Sequence, residues 1–290
     1  MNNIGQSLSP MTLCRGLYAH ALTVLFVFTV FSVMLSAACG RAYARSKASS
    51  AIPTQGTPTF YDRFDTGELD TSKWNIATYK SPDSKPGINA GLYTPEKIDF
   101  SSGMLRISVE QTRVGEGVRS LGGAIFSKER FGYGTYEFVM RMTSPSLTPD
   151  GPGETQTGAV SSGFLYYTNS ASEIDLEFVG DQNVMWVTTW DNSNGSAPPT
   201  SGMKRSEKLA NRDLATGFHT YTLVWEPERI RVFIDDVLAT TFTENIPSVP
   251  AHIILQHRGT NSRQWGGLAT IGVTRYAYFR SVKFTPMGGR

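Results

Sequence analysis

From Thr59 onward the chain alternates short apolar or period-two runs with clusters of Gly, Asn, Asp and Pro. Met104–Val109, Gly134–Met142, Phe164–Tyr167, Val184–Trp190 and Phe218–Trp225 each read as a strand. So do Ile230–Ile234, Val237–Phe242, Ile253–His257 and Tyr276–Phe284. No stretch sustains a 3.6-residue period, so the pattern predicts an all-β sandwich of antiparallel strands. Arg229–Phe242 reads as a hairpin turning at Asp235-Asp236. Some ~230 residues of such strands are enough for one large two-sheet core.

The pattern before Thr59 is different. Leu22 to Ala38 is uncharged and almost wholly apolar, with Arg15 and His20 ahead of it and small residues behind. It reads as a secretory signal over residues 1–44, cleaved after Ala42-Tyr43-Ala44. Its length sits at the lower limit for a membrane span (~17–25 residues), so an uncleaved anchor is the alternative. Cys39 after Ser36-Ala37-Ala38 suggests lipoprotein processing as a third, although the Leu that processing expects stands one position early, at Leu35. All three imply export to the periplasm, the cell envelope or the medium. Residues 45–58, rich in Ser, Ala, Thr, Gly and Pro, read as a flexible linker, and 59–290 as the working domain. Cleavage would remove both cysteines, Cys14 and Cys39, leaving a domain without a disulfide.

Charge changes the picture little. Charged residues are 18% of the 290 and the formal net charge is +2, which gives no footprint for nucleic acid. No internal repeat is visible.

The candidate chemistry lies in Ser172-Glu173-Ile174-Asp175-Leu176-Glu177-Phe178-Val179-Gly180. On a strand, Glu173, Asp175 and Glu177 share one face, and Ser172, Ile174, Leu176 and Phe178 share the other. The second face suits a core. The first holds three carboxyls that resist ionising together. Glycoside hydrolysis uses two carboxyl groups, about 5–5.5 Å apart in retaining enzymes. Residues four apart on a strand have Cα atoms ~13 Å apart, a gap two leaning Glu side chains largely close. Asp175 between them can bond one neighbour and raise the pKa of the group that must stay protonated. A metal-binding or merely acidic strand is the alternative.

The same residues resemble the active-site strand of glycoside hydrolase family 16. Phe131-Gly-Tyr-Gly-Thr-Tyr-Glu137, Gly217-Phe-His-Thr-Tyr-Thr-Leu-Val-Trp225-Glu-Pro, Ile230-Arg-Val-Phe-Ile-Asp-Asp236 and Asn245-Ile-Pro-Ser-Val-Pro250 resemble further segments of that family in order and spacing. The resemblance covers roughly Phe60 to Pro286. It implies a concanavalin-like β-jelly-roll with a concave cleft, and a polysaccharide partner with no cofactor. By this likeness Glu173 matches the nucleophile, Asp175 the assisting acid and Glu177 the general acid/base. The β-1,3-glucanases and agarases of the family usually carry E-x-D-x-x-E, with a β-bulge before the last Glu. The regular E-x-D-x-E here resembles lichenases and transglycosylases instead.

On the next strand Trp186, Thr188 and Trp190 share a face, and sugar rings stack on aromatic faces. Trp190, Trp186 and Thr188 are therefore candidate substrate contacts. Asn89 matches a lichenase donor-subsite Asn, Tyr166 is placed to line the cleft, and Trp265 is read as rimming the acceptor side. Trp225 reads as core, and His219 and His257 as structural. Three departures bear on specificity. Ala124 and Phe126 stand where lichenases carry Glu and Arg, Gln256-His-Arg258-Gly replaces a Trp-containing segment, and Arg280 stands where an Asp helps to bind calcium. No metal is assigned. The expected activity is an exported, monomeric, retaining endo-β-glucanase acting on mixed-linkage β-1,3-1,4-glucan. The alternatives are a transglycosylase, a β-1,3-glucanase and a non-catalytic glycan-binding sandwich. No membrane partner is expected for the mature domain.

Overall fold

Alternating apolar positions give strands whose one side can be buried, and the chain satisfies them by stacking two layers. The computed structural model describes residues 51–288, apart from 54–55, 145, 153–155, 183, 193–194, 196–197, 210–213 and 215. The expected signal segment 1–44 with Cys14, Cys39 and the cleavage site lies outside the described residues. So does much of the expected linker.

Sixteen strands are described. The first six are β1 (Phe60–Asp62), β2 (Trp74–Ile76), β3 (Asn89–Tyr93), β4 (Ile98–Asp99), β5 (Leu105–Val114) and β6 (Gly117–Phe131). They are followed by β7 (Gly134–Ser144), β8 (Ala159–Tyr167), β9 (Ser172–Val179), β10 (Val184–Trp190) and β11 (Lys204–Leu209). The last are β12 (His219–Glu226), β13 (Arg229–Ile234), β14 (Val237–Phe242), β15 (Ala251–Gly259) and β16 (Arg275–Pro286). Among the described residues no helix is long and apolar enough to cross a membrane.

One layer runs β11–β10–β9–β8–β15–β6 and the other β5–β16–β7–β12–β13–β14. Strands β5 and β6 pair with each other, so the two layers form one sheet folded over on itself. Every pairing is antiparallel except that of β3 with β6. This is the all-β jelly-roll architecture that the likeness implied. The hairpin of β13 and β14 turns at Asp235 and Asp236, both in the left-handed region (φ 50° and 63°), as a tight two-residue turn requires.

Ile174, Leu176 and Phe178 of β9 are fully buried and share one core cluster with Phe138, Met140, Leu223 and Trp225 of the opposite layer. Burying each such side chain contributes roughly 1.5–3 kcal/mol. The layers meet closely beneath β8 and β9. A Cβ at Gly163 of β8 would lie 2.9 Å from the Phe138 ring of β7, so that position has no room for a side chain. Trp225 is fully buried, with Nε1 donating to the Pro247 carbonyl at 2.9 Å, in agreement with its reading as core. His257 is fully buried as well, near the Ser161 hydroxyl (3.1 Å) and the Val160 carbonyl (3.2 Å), and burial holds it down at about 3. It is neutral at any working pH and structural.

The apolar pattern missed two long strands. In β6 the glycines Gly117, Gly122 and Gly123 interrupt the alternation. In β11, Lys204-Arg-Ser-Glu-Lys208 has no apolar residue to report a period, because its one flank is open cleft and its other is solvent-exposed.

Candidate active site

The register of the strands lays the cleft out as three rows across the first layer. Ala124, Gln256, Ser162, Glu177, Trp186 and Lys208 lie side by side on successive strands. Two residues along each strand is the second row: Phe126, Ile254, Phe164, Asp175, Thr188 and Ser206. His252, Tyr166, Glu173, Trp190 and Lys204 make the third. Because side chains alternate with period two, all of these belong to one face. They floor an open cleft of ≈ 470 Å³ whose walls include the three acids, Trp186, Thr188, Trp190, Arg258 and Trp265. The pairing of β9 with both neighbours runs without a break, so the strand carries no bulge.

The turn between β8 and β9 sets up Glu173. Asn169 and Ser170 both have positive φ (46° and 57°), and the Ala171 amide donates to the Thr168 carbonyl at 2.9 Å. That geometry is uncommon for a serine, and it turns the Ser170 hydroxyl onto Glu173 Oε2. Burial pushes Glu173 up to about 7; the Ser170 hydrogen bond opposes it, the charge of Glu177 adds to it, and the bond from Asp175 opposes it again. Asp175 lies deeper. Burial first, then the charges of Glu173 and Glu177, hold its carboxyl well above the usual range. Asp175 therefore keeps its proton and donates it in a hydrogen bond to Glu173, which becomes the anion of the pair.

Glu177 has a different neighbour. Arg258 is 5% exposed, and its Nη2 donates to Glu177 Oε1 at 3.0 Å while its Nε donates to Asp83 Oδ2 at 2.6 Å. The guanidinium is planar and clamped at both ends, so it fixes the Glu177 side chain in one direction.

The aromatic residues frame the acids. Trp190 is the strand partner of Glu173, and Trp186 that of Glu177. The rings of Trp186 and Trp265 lie 6.2 Å apart at 46°. Thr188 bonds Ser206 across the strand pair at 3.0 Å. Tyr166 stands next to Glu173 on β8; burial raises its pKa, and so does the Glu173 charge. Asn89 is not brought to the cleft surface. It is 1% exposed, its Nδ2 is spent on the carbonyls of Asp83 (3.1 Å) and Gly259 (3.2 Å), and its Oδ1 accepts from Ser120 at 2.6 Å. Its amide ties the loop carrying Asp83 to the end of β15, and so holds Arg258's partner in place.

Where lichenases carry acid and base, Ala124 packs in a small core cluster with Ala77 and Tyr93, and Phe126 stands edge-on to His252. On β6 the wall is thus apolar, while β15 brings Gln256 and Arg258 to the cleft. Sequence reasoning did not find Ser170, Asp83, Lys204 or Ser206. Ser170 was within reach, since Thr168-Asn169-Ser170 before the acidic strand is a turn signal. Asp83 was not, because 175 positions separate it from Arg258.

The profile of the family described as glycosyl hydrolases family 16 matches residues 89–271. A "Beta-glucanase" from Paenibacillus polymyxa is 34% identical over 170 residues, 56% of this chain and 63% of that protein. The chain thus spans about three fifths of the length of that curated relative. Among solved structures, a Bacillus licheniformis beta-glucanase superposes with a TM-score of 0.62 at 24% identity, covering 80% of this chain and 100% of the other. The catalytic domain of an endo-1,3-beta-glucanase (laminarinase) from Thermotoga petrophila RKU-1 superposes at 0.63 and 15% identity, covering 81% and 100%. At these identities the two structures speak for the fold.

Proposed function

The chain belongs to glycosyl hydrolases family 16, and from that premise we propose that it is a retaining endo-β-glucanase acting on mixed-linkage β-1,3-1,4-glucan. Glu173 attacks the anomeric carbon while Glu177 protonates the bridging oxygen, forming a glycosyl-enzyme. Water deprotonated by Glu177 then releases it with retention. Asp175 holds a proton beside Glu173, so the nucleophile is the member of the pair that ionises, and the Ser170 hydroxyl steadies that anion. Arg258 keeps Glu177 pointed at the leaving oxygen.

One observation carries the reading: three carboxyls aligned on one strand at the floor of an open cleft, with a tryptophan beside each glutamate. The unbroken register of β9 supports a mixed-linkage substrate over a β-1,3-glucan. The apolar segment Leu22–Ala38 supports export.

The test is product analysis on mixed-linkage glucan, laminarin and xyloglucan, with and without an oligosaccharide acceptor. Short cello-oligosaccharides ending in a 3-linked unit, from mixed-linkage glucan alone, are expected. E173Q is expected to lose at least about 10⁴-fold in kcat with the fold retained. Products longer than the donor would make the protein a transglycosylase, and full activity in E173Q would overturn the assignment.

A further inference from the structure

The wall over β10 and β11 combines stacking surface with unpaired positive charge. Strand register sets Lys204 beside Trp190 and Lys208 beside Trp186, each tryptophan itself beside one of the two glutamates. The ammonium of Lys204 lies 5.0 Å from the centre of the Trp190 ring, and that of Lys208 5.9 Å from the Trp186 ring. Between them, Ser206 and Thr188 bond each other. Arg205, pointing the other way on the same strand, pairs with Glu244 at 2.6 Å. Among the described residues neither Lys204 nor Lys208 has a carboxylate partner.

Arg258 lines the floor of the cleft too, but its charge is met by Asp83 and Glu177. Beyond Trp265, which both share, lies a second hollow of ≈ 390 Å³ with Lys85 and Arg263 on its wall. Neither of those is paired with a carboxylate among the described residues. A neutral glucan can take a hydrogen bond from a lysine ammonium through its hydroxyl oxygens, but only an anionic substituent would also gain from the charge. Cations beside aromatic faces in a cleft suit a sugar that carries a negative charge, since the low-dielectric walls focus their field on whatever lies between them.

We propose that the Trp190/Lys204 and Trp186/Lys208 pairs bind anionic substituents, carboxylate or sulfate, on a β-glucan backbone, so that a charged form of the polymer is held in preference to the unsubstituted one. The inference rests on the hydrolase reading for what happens to the bound glycan, but not for the binding itself.

The experiment separates the two. The inactive E173Q chain is tested for binding to mixed-linkage glucan, its carboxymethyl derivative and its sulfate ester by affinity electrophoresis, and the wild type is assayed for cleavage of the same three polymers. A charged polymer is expected to bind at least about tenfold more tightly than the neutral one. The preference should shrink severalfold in 0.5 M salt. In E173Q carrying K204Q and K208Q the charged-to-neutral affinity ratio should fall about fivefold or more, and in E173Q carrying K73Q, a lysine on another hollow, it should hold. Which derivative is preferred distinguishes a carboxylate from a sulfate. Equal binding of all three polymers, or a preference that survives the double exchange, would overturn the proposal. Tight, lysine-dependent binding without cleavage of any polymer by the wild type would uphold it and discard the hydrolase reading. Cleavage of neutral glucan without a charged preference would do the reverse.

Discussion

Glu173 and Glu177 stand four positions apart on one straight strand, with the same residue type, the same face and a tryptophan alongside each. Their surroundings differ. Glu173 is met by uncharged donors, the Ser170 hydroxyl and the protonated Asp175, in a buried place that pushes it up to about 7. Glu177 is met by a cation held from behind by a second carboxylate, in the chain Asp83–Arg258–Glu177. In the proposed mechanism these two environments give two carboxyls two roles, the pattern by which one fold runs nucleophilic and acid–base chemistry together.

The comparison predicts different failures for the two residues. In E177Q, hydrolysis of mixed-linkage glucan should fall about 10²–10⁴-fold, the range for loss of a general acid and base. The release of dinitrophenolate from a dinitrophenyl β-oligoglucoside, whose leaving group needs no proton, should fall far less in a pre-steady-state burst. If both substrates lose equally, the roles drawn above do not hold.

A sharper form removes only the support. R258M should lower kcat on the glucan about 10–100-fold, with a smaller effect on the dinitrophenyl substrate, because the guanidinium bonds Glu177 directly and reaches Glu173 only through its charge, the last-ranked cause of that group's shift. R258K, which keeps a donor but not the planar clamp, should recover part of the loss. A uniform loss on both substrates, read together with a collapsed thermal transition, would make Arg258 a structural residue only.

The smallest effect concerns pH. In the proposed mechanism Glu173 must be anionic to attack, and its pKa is raised to about 7, so the acid limb of kcat/KM should fall as pH drops through that value. The hydrogen bond from Asp175 holds Glu173 down. D175A should therefore move the acid limb to higher pH by a fraction of a unit to about one unit, whereas D175N, whose amide still donates, should leave it near its place. An acid limb that ignores both substitutions would show that the pair does not share a proton.

The two walls of the cleft repeat the lesson on a larger scale. On β6 the surface is apolar, with Ala124 buried against Tyr93 and Phe126 against His252, while β15 adds Gln256 and Arg258. Over β10 and β11 it is aromatic and cationic. Strand β9 between them is of the regular, bulge-free form.

Much of this was open to reading in the chain itself. The alternation of β9 specified its buried and acidic faces, since a side-chain period of two is a local property and a one-residue slip would bury all three acids. The same rule put Trp186, Thr188 and Trp190 on one face, and made Asp235-Asp236 a turn. What surrounds each carboxyl was decided only in three dimensions. Arg258 reaches Glu177 across 81 positions and Asp83 across 175, and no local period links such residues. Asn89, matched by likeness to a sugar contact, was drawn instead into a buried amide network. Strand β11 carried no apolar signal because both of its sides are open, and only pairing with β10 brought its lysines over the tryptophans. Local alternation determines which way a side chain points; long-range packing determines what it meets, and ionisation and specificity follow from the second.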